Sequence, residues 1–358
     1  MIGTALVVRP DNAGDVLLAG PAVRAVAAGA REVVMLAGPH GRAAAELLPG
    51  VDRVLEWRAP WIDPEPVPMT SEHAARLVEQ VRAVGPDVAV VFTSFHQSAL
   101  PAALLLRLAG VPRIAAISED YPGSLLDVRH VVDESVDVPE PERMLGLARA
   151  AGFDLPPGDD GRLAVRGPLP DVEHLTGPPG YVVVHPGTTA PARAWPAERW
   201  AETVEALLAA GERVVVTGSP GERALTALVS GPALGSGFPL GPGFPLDLGG
   251  ATTFAELAAV LAGASAVVAA NTGPAHLAAA VGTPVVSLFA PVVPAARWAP
   301  YGVPTVVLGD QGAPCRGSRA RICPLPGHPC LTSIGGEQVV DAVHRLMPAE
   351  EAVKERVP

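Results

Sequence analysis

Four short polar segments carry the side chains of this sequence that could do chemistry, and each follows an apolar run. The first is Pro10-Asp-Asn-Ala-Gly-Asp15, after Ile2–Arg9. The apolar run is typical of a buried strand, so the segment is expected at the strand's carboxyl end, where a helix begins. A carboxylate is favoured there by the helix dipole. Asp15 is therefore either a helix-start residue or a general base that reaches a ligand bound at this edge of the sheet.

The second segment is His185-Pro-Gly-Thr-Thr-Ala-Pro-Ala-Arg-Ala-Trp-Pro196, which follows the apolar run Tyr181–His185. It combines a glycine that lets the backbone approach a ligand, two hydroxyl donors and a fixed cation: Gly187, Thr188, Thr189 and Arg193. That combination suits a diphosphate. The alternative is a polar loop whose Trp195-Pro pair docks the following helix.

The third segment is Thr217-Gly-Ser-Pro-Gly-Glu222. It resembles a phosphate loop only weakly, because it lacks a lysine and has a different glycine spacing. Glu222 could accept hydrogen bonds from ribose hydroxyls, or it could be a first-turn helix residue favoured by the dipole.

The fourth segment, Asn271-Thr-Gly-Pro-Ala-His276, follows the apolar run Ala266–Ala270 and opens a helix of small residues. Either of its first two residues can cap that helix, and proline suits a first turn because no amide donor is needed there. A helix N-terminus presents free N–H groups to an anion. The segment predicts a phosphate site with Thr272, Gly273 and His276 close by, or an ordinary turn between strand and helix.

Two further features of the sequence are candidate sites. His96, in Thr93-Ser-Phe-His-Gln97, is placed at the end of a predicted strand and is a candidate for the same edge as Asp15. Three cysteines, Cys315, Cys323 and Cys330, are spaced too widely for the paired pattern of structural zinc sites. A loop with free thiols is expected there, and no metal site.

The composition limits the classes of function. The formal net charge is −11 at pH 7, which disfavours non-specific nucleic-acid binding because that needs a basic face. An anionic membrane is disfavoured in the same way, so at most peripheral association is expected. No apolar run of membrane-spanning length and no signal-peptide pattern at the start were found. We expect a cytoplasmic protein.

Strand patterns alternate with helix patterns along two stretches of the chain, which predicts α/β domains with parallel sheets. The expected organisation is two Rossmann-like open-sheet domains over residues 1–165 and 181–335, facing a central cleft, with a linker over 166–180 and a helix and tail over 336–358. Within these domains we predict one helix over Val16–Ala28. Asp247–Gly250 is expected to be the segment that leads into a helix, and Ser230–Pro245 is expected to be a low-complexity loop.

In their order and spacing, these segments resemble the ADP-heptose:lipopolysaccharide heptosyltransferases, which are family 9 glycosyltransferases of the GT-B fold. The resemblance lies in the Gly14-Asp15 opening, the segment from His185 to Trp200, the Asn271-Thr-Gly-Pro-Ala-His276 motif, and Cys323-Pro with His328-Pro-Cys330-Leu near the end. It implies an inverting, metal-independent transfer of a sugar from a nucleotide-sugar co-substrate to a glycan or small-molecule acceptor.

The resemblance also implies roles for individual residues. The N-terminal domain binds the acceptor and the C-terminal domain binds the donor. Asp15 is the general base, and the acceptor contacts are Asn12, Gly14 and His96. The donor contacts are Thr188, Thr189, Arg193, Gly218, Ser219, Glu222, Asn271, Thr272, Gly273 and His276. Arg193 stands where a lysine is common, and the two cations differ in shape.

Two departures bear on specificity. Asn271 replaces the aspartate usual in the motif, which removes a carboxylate near the donor sugar. Residues 1–150 hold 13 arginines and no lysine against 19 acidic residues, a poor complement to a polyanionic acceptor. The alternatives are therefore a transferase that uses another nucleotide-hexose, a nucleotide-sugar epimerase with a similar fold, and a binding protein that keeps only the donor pocket.

Overall fold

The computed structural model describes residues 1–231 and 244–347 of the chain. It divides into two compact units, Met1–Gly167 and a second unit that begins at Pro168. The predicted loop over Ser230–Pro245 lies mostly outside the described residues, as does the tail after residue 347. No helix among the described residues is both long enough and apolar enough to cross a bilayer.

The first unit is built on strands that alternate with helices. Its strands are β1 (Ile2–Arg9), β2 (Ala30–Ala37), β3 (Arg53–Glu56), β4 (Val88–Val91), β5 (Ile114–Ile117) and β6 (Val128–His130). Its helices are α1 (Ala13–Leu18), α2 (Gly20–Gly29), α3 (Arg42–Leu47), α4 (Ser71–Val84), α5 (Leu100–Leu108) and α6 (Glu140–Ala150).

The second unit repeats this arrangement. Its strands are β7 (Tyr181–His185), β8 (Val214–Gly218), β9 (Leu246–Gly249), β10 (Ala264–Ala270), β11 (Val285–Leu288) and β12 (Thr305–Leu308). Its described helices are α7 (Glu173–Thr176), α8 (Ala197–Ala209), α9 (Arg223–Val229), α10 (Phe254–Ala262), α11 (Gly273–Ala280), α12 (Ala295–Trp298), α13 (Pro329–Thr332) and α14 (Gly336–Leu346).

Both sheets have the same strand order. The first runs β3-β2-β1-β4-β5-β6 and the second, within the described residues, runs β12-β11-β10-β7-β8-β9. The strand pairs are parallel, for example β1 with β2 and β4, and β7 with β8 and β10. In each unit the order reverses between the first and fourth strands, which is the doubly wound Rossmann arrangement. The predicted pair of Rossmann-like open-sheet domains is confirmed.

Small and β-branched residues explain why these strands can be buried on both faces. Leu6, Val7 and Val8 of β1 are at most 1% exposed, and Val182, Val183 and Val184 of β7 are fully buried. Such continuous apolar runs are typical of strands covered by helices on both sides. The central strands therefore hold their carboxyl ends in fixed positions.

Several predicted elements are corrected by the structure. The helix predicted over Val16–Ala28 is two helices, α1 and α2, separated at Ala19, because Pro21 in the first turn of α2 has no N–H to continue the helix. Asp247 belongs to the edge strand β9, which pairs with β8. The stretch 166–180 contains the helical turn α7.

Candidate active site

Three of the four predicted segments, together with the turn that carries His96, lie at the point in each sheet where the strand order reverses, and the third segment follows β8, the neighbour of β7. In the first unit, the loop with Asp15 follows β1 and the turn with His96 follows the neighbouring strand β4. In the second unit, the loop with Arg193 follows β7 and Asn271 follows the neighbouring strand β10. In open α/β sheets this crevice at the carboxyl ends of the strands is where ligands bind.

Asp15 is held by an arginine inside the first unit. It is the third residue of α1, and its side chain is 25% exposed. Nη2 of Arg9, the last residue of β1, donates to its Oδ1 at 3.1 Å. Its Oδ2 makes no hydrogen bond with the described residues and is open to solvent. One oxygen is fixed and the other is available, as a general base requires.

The residues next to Asp15 shape the start of α1. Asn12 is exposed and stands at the N-cap position without a side-chain hydrogen bond to the helix, and Gly14 is buried. The backbone of the Gly38–Gly41 turn packs closely on this loop, because a Cβ added at Gly38 would overlap the Pro10 carbonyl oxygen. The turn after β2 therefore packs directly against the backbone of the loop that leads to Asp15.

Sequence reasoning missed the charged groups that surround Asp15. Arg9 is fully buried, and Asp11 is 7% exposed with its Oδ2 at 3.4 Å from Nε of Arg9. Burial alone would lower the pKa of Arg9, but the carboxylates of Asp11, Asp15 and Glu140 more than offset it, and the pKa is raised. The sequence shows that Arg9 directly ends the apolar run of β1, but that position alone does not indicate that the arginine is buried.

His96 lies in a tight turn that is tied to the same loop. The backbone N–H of Gln97 donates to the carbonyl of Ser94 at 2.9 Å, and His96 is exposed at the tip of the turn, edge-on to Phe95. Nε2 of Gln97 donates to Oδ1 of Asp11 at 2.6 Å. The structure therefore brings the turn that carries His96 against the loop that carries Asp15.

In the second unit, His185 ends β7 as a buried, neutral histidine. Its Nδ1 lies 3.0 Å from Oγ1 of Thr217, which is fully buried at the end of β8. Burial lowers the pKa of His185 to about 4, although the charge of Glu222 acts in the opposite direction. The hydrogen bond joins the second and third segments at the sheet edge.

Glu222 joins the second and third segments more directly. Its Oε2 accepts from the backbone N–H of Ser219 at 2.7 Å, which makes a capping box over one turn of 3₁₀ helix. Its carboxylate also lies against Gly187, where any Cβ would overlap it. Gly218 is close to Thr226 and to the Cβ of Glu222 in the same way. Glu222 is thus a first-turn residue, as one of the two interpretations expects, and its Oε1 makes no hydrogen bond with the described residues.

The loop after β7 is anchored at its far end. Trp195 is buried, its Nε1 donates to the carbonyl of Leu331 at 3.0 Å, and its ring is edge-on to Trp200 of α8. Trp195 therefore packs against the following helix, as the alternative interpretation of this segment expects. In the part of the loop before Trp195, Thr188 is half-buried and Thr189 is exposed, and Arg193 is half-buried at the end of a 3₁₀ turn. Those three side chains therefore lie between two anchored residues, His185 at the end of β7 and Trp195.

The fourth segment begins α11 without a side-chain cap. The N-cap residue is Thr272, which makes no capping hydrogen bond, and Gly273 is the first helical residue. Asn271 is 3% exposed and its buried Nδ2 has no hydrogen-bond partner in the described structure. His276 is 4% exposed on the first turn. Pro274 has no N–H, and the N–H of Ala275 donates to the carbonyl of Thr272 at 3.1 Å, so within this first turn the N–H of Gly273 is the backbone donor left for an anion.

The three cysteines are free thiols in the structure. Cys315 and Cys330 are buried, and Cys323 is half-buried. Burial raises the pKa of the Cys330 thiol to about 11, with Cys315 and Cys323 adding to the rise. No cluster of three or more histidine, cysteine or acidic side chains suited to a metal ion occurs among residues 1–231 and 244–347.

Two Rossmann-like domains, each with polar loops at the reversal of its strand order, define a two-domain α/β protein of the GT-B type. The chain belongs to glycosyltransferase family 9 (heptosyltransferase), whose model matches residues 74–327. This confirms the resemblance drawn from the motifs. The matched range includes the second, third and fourth polar segments and His96, and it begins after Asp15.

Curated relatives and a solved structure agree with this assignment. Lipopolysaccharide heptosyltransferase 3 of Escherichia coli is 29% identical over 62% of this chain and 61% of its own length. Lipopolysaccharide heptosyltransferase 1 of Pseudomonas aeruginosa is 34% identical over 61% of this chain and 60% of its own. Each alignment thus spans about three fifths of the relative.

The solved E. coli ADP-heptose LPS heptosyltransferase II has the same fold. It superposes with a TM-score of 0.72 at 21% identity, covering 96% of this chain and 98% of that chain. The likeness confirms the predicted GT-B fold class.

Proposed function

We propose that this protein is an inverting glycosyltransferase that moves a sugar from a nucleotide-sugar donor to an acceptor hydroxyl, with Asp15 as the general base. The donor proposed first is an ADP-linked heptose, and no metal ion takes part. Family membership supports the class of reaction. The state of Asp15 is the observation that carries the mechanism, because Arg9 holds Oδ1 while Oδ2 has no partner among the described residues.

The reaction is a single displacement. Oδ2 of Asp15 takes the proton of the acceptor hydroxyl as the acceptor oxygen attacks the anomeric carbon of the donor. The bond from that carbon to the diphosphate oxygen breaks, and the nucleoside diphosphate leaves with the bonding electrons. Since attack and departure occur on opposite faces of the sugar, the anomeric configuration inverts.

The second unit supplies the groups that a departing diphosphate needs. Negative charge grows on the diphosphate as its bond to the sugar breaks, and fixed donors placed there stabilise that charge. The candidates are the N–H of Gly273 at the start of α11, the hydroxyls of Thr188 and Thr189, and the guanidinium of Arg193. Glu222, beside Gly187, is proposed to accept hydrogen bonds from the ribose hydroxyls.

The charge of the first unit bears on the acceptor. With 13 arginines and no lysine against 19 acidic residues up to position 150, this unit is a poor partner for a polyanionic lipopolysaccharide core. A weakly charged glycan or a small hydroxylated molecule fits that balance better. The acceptor is therefore proposed to carry few negative charges.

The test has two stages. Calorimetric titration with ADP, GDP, UDP and dTDP identifies the nucleotide, and we expect ADP to bind most tightly. Release of nucleoside diphosphate from the matching heptose and hexose donors is then measured with and without a panel of glycans, in EDTA and with added Mg²⁺.

Release that needs an acceptor and persists in EDTA supports the proposal. Interconversion of the donor with no acceptor would indicate an epimerase instead. Activity that is lost in EDTA and restored by the divalent ion would contradict the metal-free mechanism, and binding without turnover would indicate a binding protein.

A further inference from the structure

Four side chains at the ends of β1 and β4 form a closed ring of polar contacts. Nη2 of Arg9 donates to Oγ of Ser94 at 2.9 Å, and the backbone N–H of Ser94 donates to Oε1 of Gln97 at 2.8 Å. Nε2 of Gln97 donates to Oδ1 of Asp11 at 2.6 Å. The ring closes where Oδ2 of Asp11 lies 3.4 Å from Nε of Arg9.

The ring is almost entirely shut off from water. Arg9 is 0% exposed, Ser94 3% and Asp11 7%, and Gln97 is half-buried. Burying a charged pair costs more than packing apolar side chains of the same volume, so stability alone is a weak reason to place this ring here. Three hydrogen bonds link the members in sequence, whereas Nε and Nη1 of Arg9 and Oδ2 of Asp11 have no hydrogen-bond partner among the described residues. The contact between Arg9 and Asp11 is therefore an ion pair, which is strong in a low-dielectric interior.

Asp15 is attached to this ring through one atom. Nη2 of Arg9, which bonds Ser94, also bonds Oδ1 of Asp15. Because Ser94 and Gln97 bracket the turn that carries His96, the same arginine connects Asp15 to that turn. The ring thus joins the proposed base to a segment that follows a different strand.

We infer that Arg9 is a positioning residue for Asp15, and that the ring of Arg9, Ser94, Gln97 and Asp11 fixes the free oxygen of Asp15 relative to the turn that carries His96. This inference rests on the proposed function, since Asp15 is taken as the base. Arg9 is fully buried, so it contacts neither substrate and acts through Asp15.

The existence of the ring can be tested by a titration of Asp11, which does not depend on enzymatic activity. Burial raises the pKa of Asp11, and the charge of Asp15 adds to the rise, while the charge of Arg9 and the hydrogen bond from Gln97 oppose it. Arg9→Met and Gln97→Met should therefore each raise the pKa of Asp11 further. The readout is the carboxyl ¹³C titration of protein labelled at aspartate, with Asp11→Asn assigning the signal. An unchanged titration in a folded variant would mean that the ring is absent in solution.

The positioning role is tested by turnover. Arg9→Lys keeps a cation but replaces the planar fork by one ammonium, which cannot serve Asp11, Ser94 and Asp15 in the same geometry. We expect kcat to fall about 10- to 100-fold in Arg9→Lys and in Gln97→Met, with the donor KM unchanged, because small misplacements of a reacting group cost that much. Gln97→Met keeps the test possible if the Arg9 variants do not fold.

The matched control is Arg24→Met, in the same unit. It removes a half-buried arginine whose Nε and Nη2 donate to Asp159 at 2.6 and 2.8 Å and whose hydrogen bonds involve no member of the ring. It should lower the melting temperature and leave kcat unchanged. If the ring variants lower only the melting temperature, as the control does, the positioning role is wrong. If the unaltered protein transfers no sugar, the proposed function fails while the Asp11 titration still decides on the ring.

Discussion

The carboxylate of Glu222 fills the space beside Gly187, so that a Cβ added at Gly187 would overlap both Oε1 and the carboxyl carbon of Glu222. The two residues belong to loops that follow different strands, β7 and β8. The absence of a side chain at position 187 is therefore what allows Glu222 to lie at this edge of the sheet.

Gly187→Ala should displace Glu222 and weaken the binding of ADP. If Glu222 holds the ribose, the binding free energy for ADP should become less favourable by roughly 1.5–3 kcal/mol, the range for a hydrogen bond to a charged group. The measurement is calorimetric titration with ADP. The control is Gly221→Ala, since the nearest heavy atom to a Cβ there is 4.0 Å away. Equal affinities for ADP in the two variants would remove Glu222 from the donor site.

Arg193→Ala should weaken the binding of ADP by a similar roughly 1.5–3 kcal/mol, because a charge-assisted contact to the diphosphate is lost. Titration with adenosine should show no such change, since adenosine has no phosphate. Arg199→Ala is the control, because that arginine is paired with Glu202 on α8. A dissociation constant for ADP equal to that of the control would place Arg193 outside the site.

Asn271→Asp should change the choice of sugar more than the binding of the nucleotide. The buried Nδ2 of Asn271 has no partner in the described structure, so a donor hydroxyl or ring oxygen could satisfy it. A carboxylate cannot donate, and sites built to hydrogen-bond a substrate discriminate strongly when a partner is missing. We expect the ratio of kcat/KM for ADP-heptose to that for an ADP-hexose to shift about tenfold or more.

The control for Asn271 is Ser287→Ala, which removes another fully buried polar group without a partner, from β11. It should affect stability and leave the ratio of the two donors unchanged. A ratio that stays constant in Asn271→Asp as well would show that Asn271 does not contact the sugar.

The central strands and the polar turns after them could be predicted from local pattern. Ile2–Arg9 and Tyr181–His185 coincide with β1 and β7, because apolar β-branched runs bounded by turn residues leave little choice. The strands β6 and β9 were missed. Each has only three or four residues and contains a charged residue, so neither carries the pattern of a buried strand.

The candidate site was found only in part, for a physical reason. Asp15 follows a strand and precedes a helix, so its location could be inferred from neighbours in the sequence. The ring of Arg9, Ser94, Gln97 and Asp11 could not, because Arg9 meets Ser94 across 85 positions of the chain. An arginine at a strand end normally reaches solvent, and here its burial depends on how β4 pairs with β1.

Asp15→Asn should lower sugar transfer by about 10²- to 10⁴-fold, the usual contribution of a general base. The amide keeps an oxygen that can accept from Arg9 but cannot take the acceptor's proton. Binding of ADP should be unchanged, since no donor contact is assigned to Asp15. Transfer at the rate of the unaltered protein would eliminate Asp15 as the base, whereas a lost affinity for ADP would indicate a structural role.

His185 should make the stability of the protein depend on pH in the acid range. Burial lowers the pKa of His185 to about 4, below the value of about 6.5 for an unfolded histidine. Between these values the unfolded chain binds more protons than the folded one, so stability is full above about pH 6.5 and falls as the pH drops towards 4, by up to roughly 3 kcal/mol. Thermal unfolding at pH 7 and pH 4.5 should show a smaller difference in His185→Gln than in the unaltered protein. His174→Gln, which removes an exposed histidine from the same unit, is the control. If both variants keep the full difference between the two pH values, His185 is not the group that titrates.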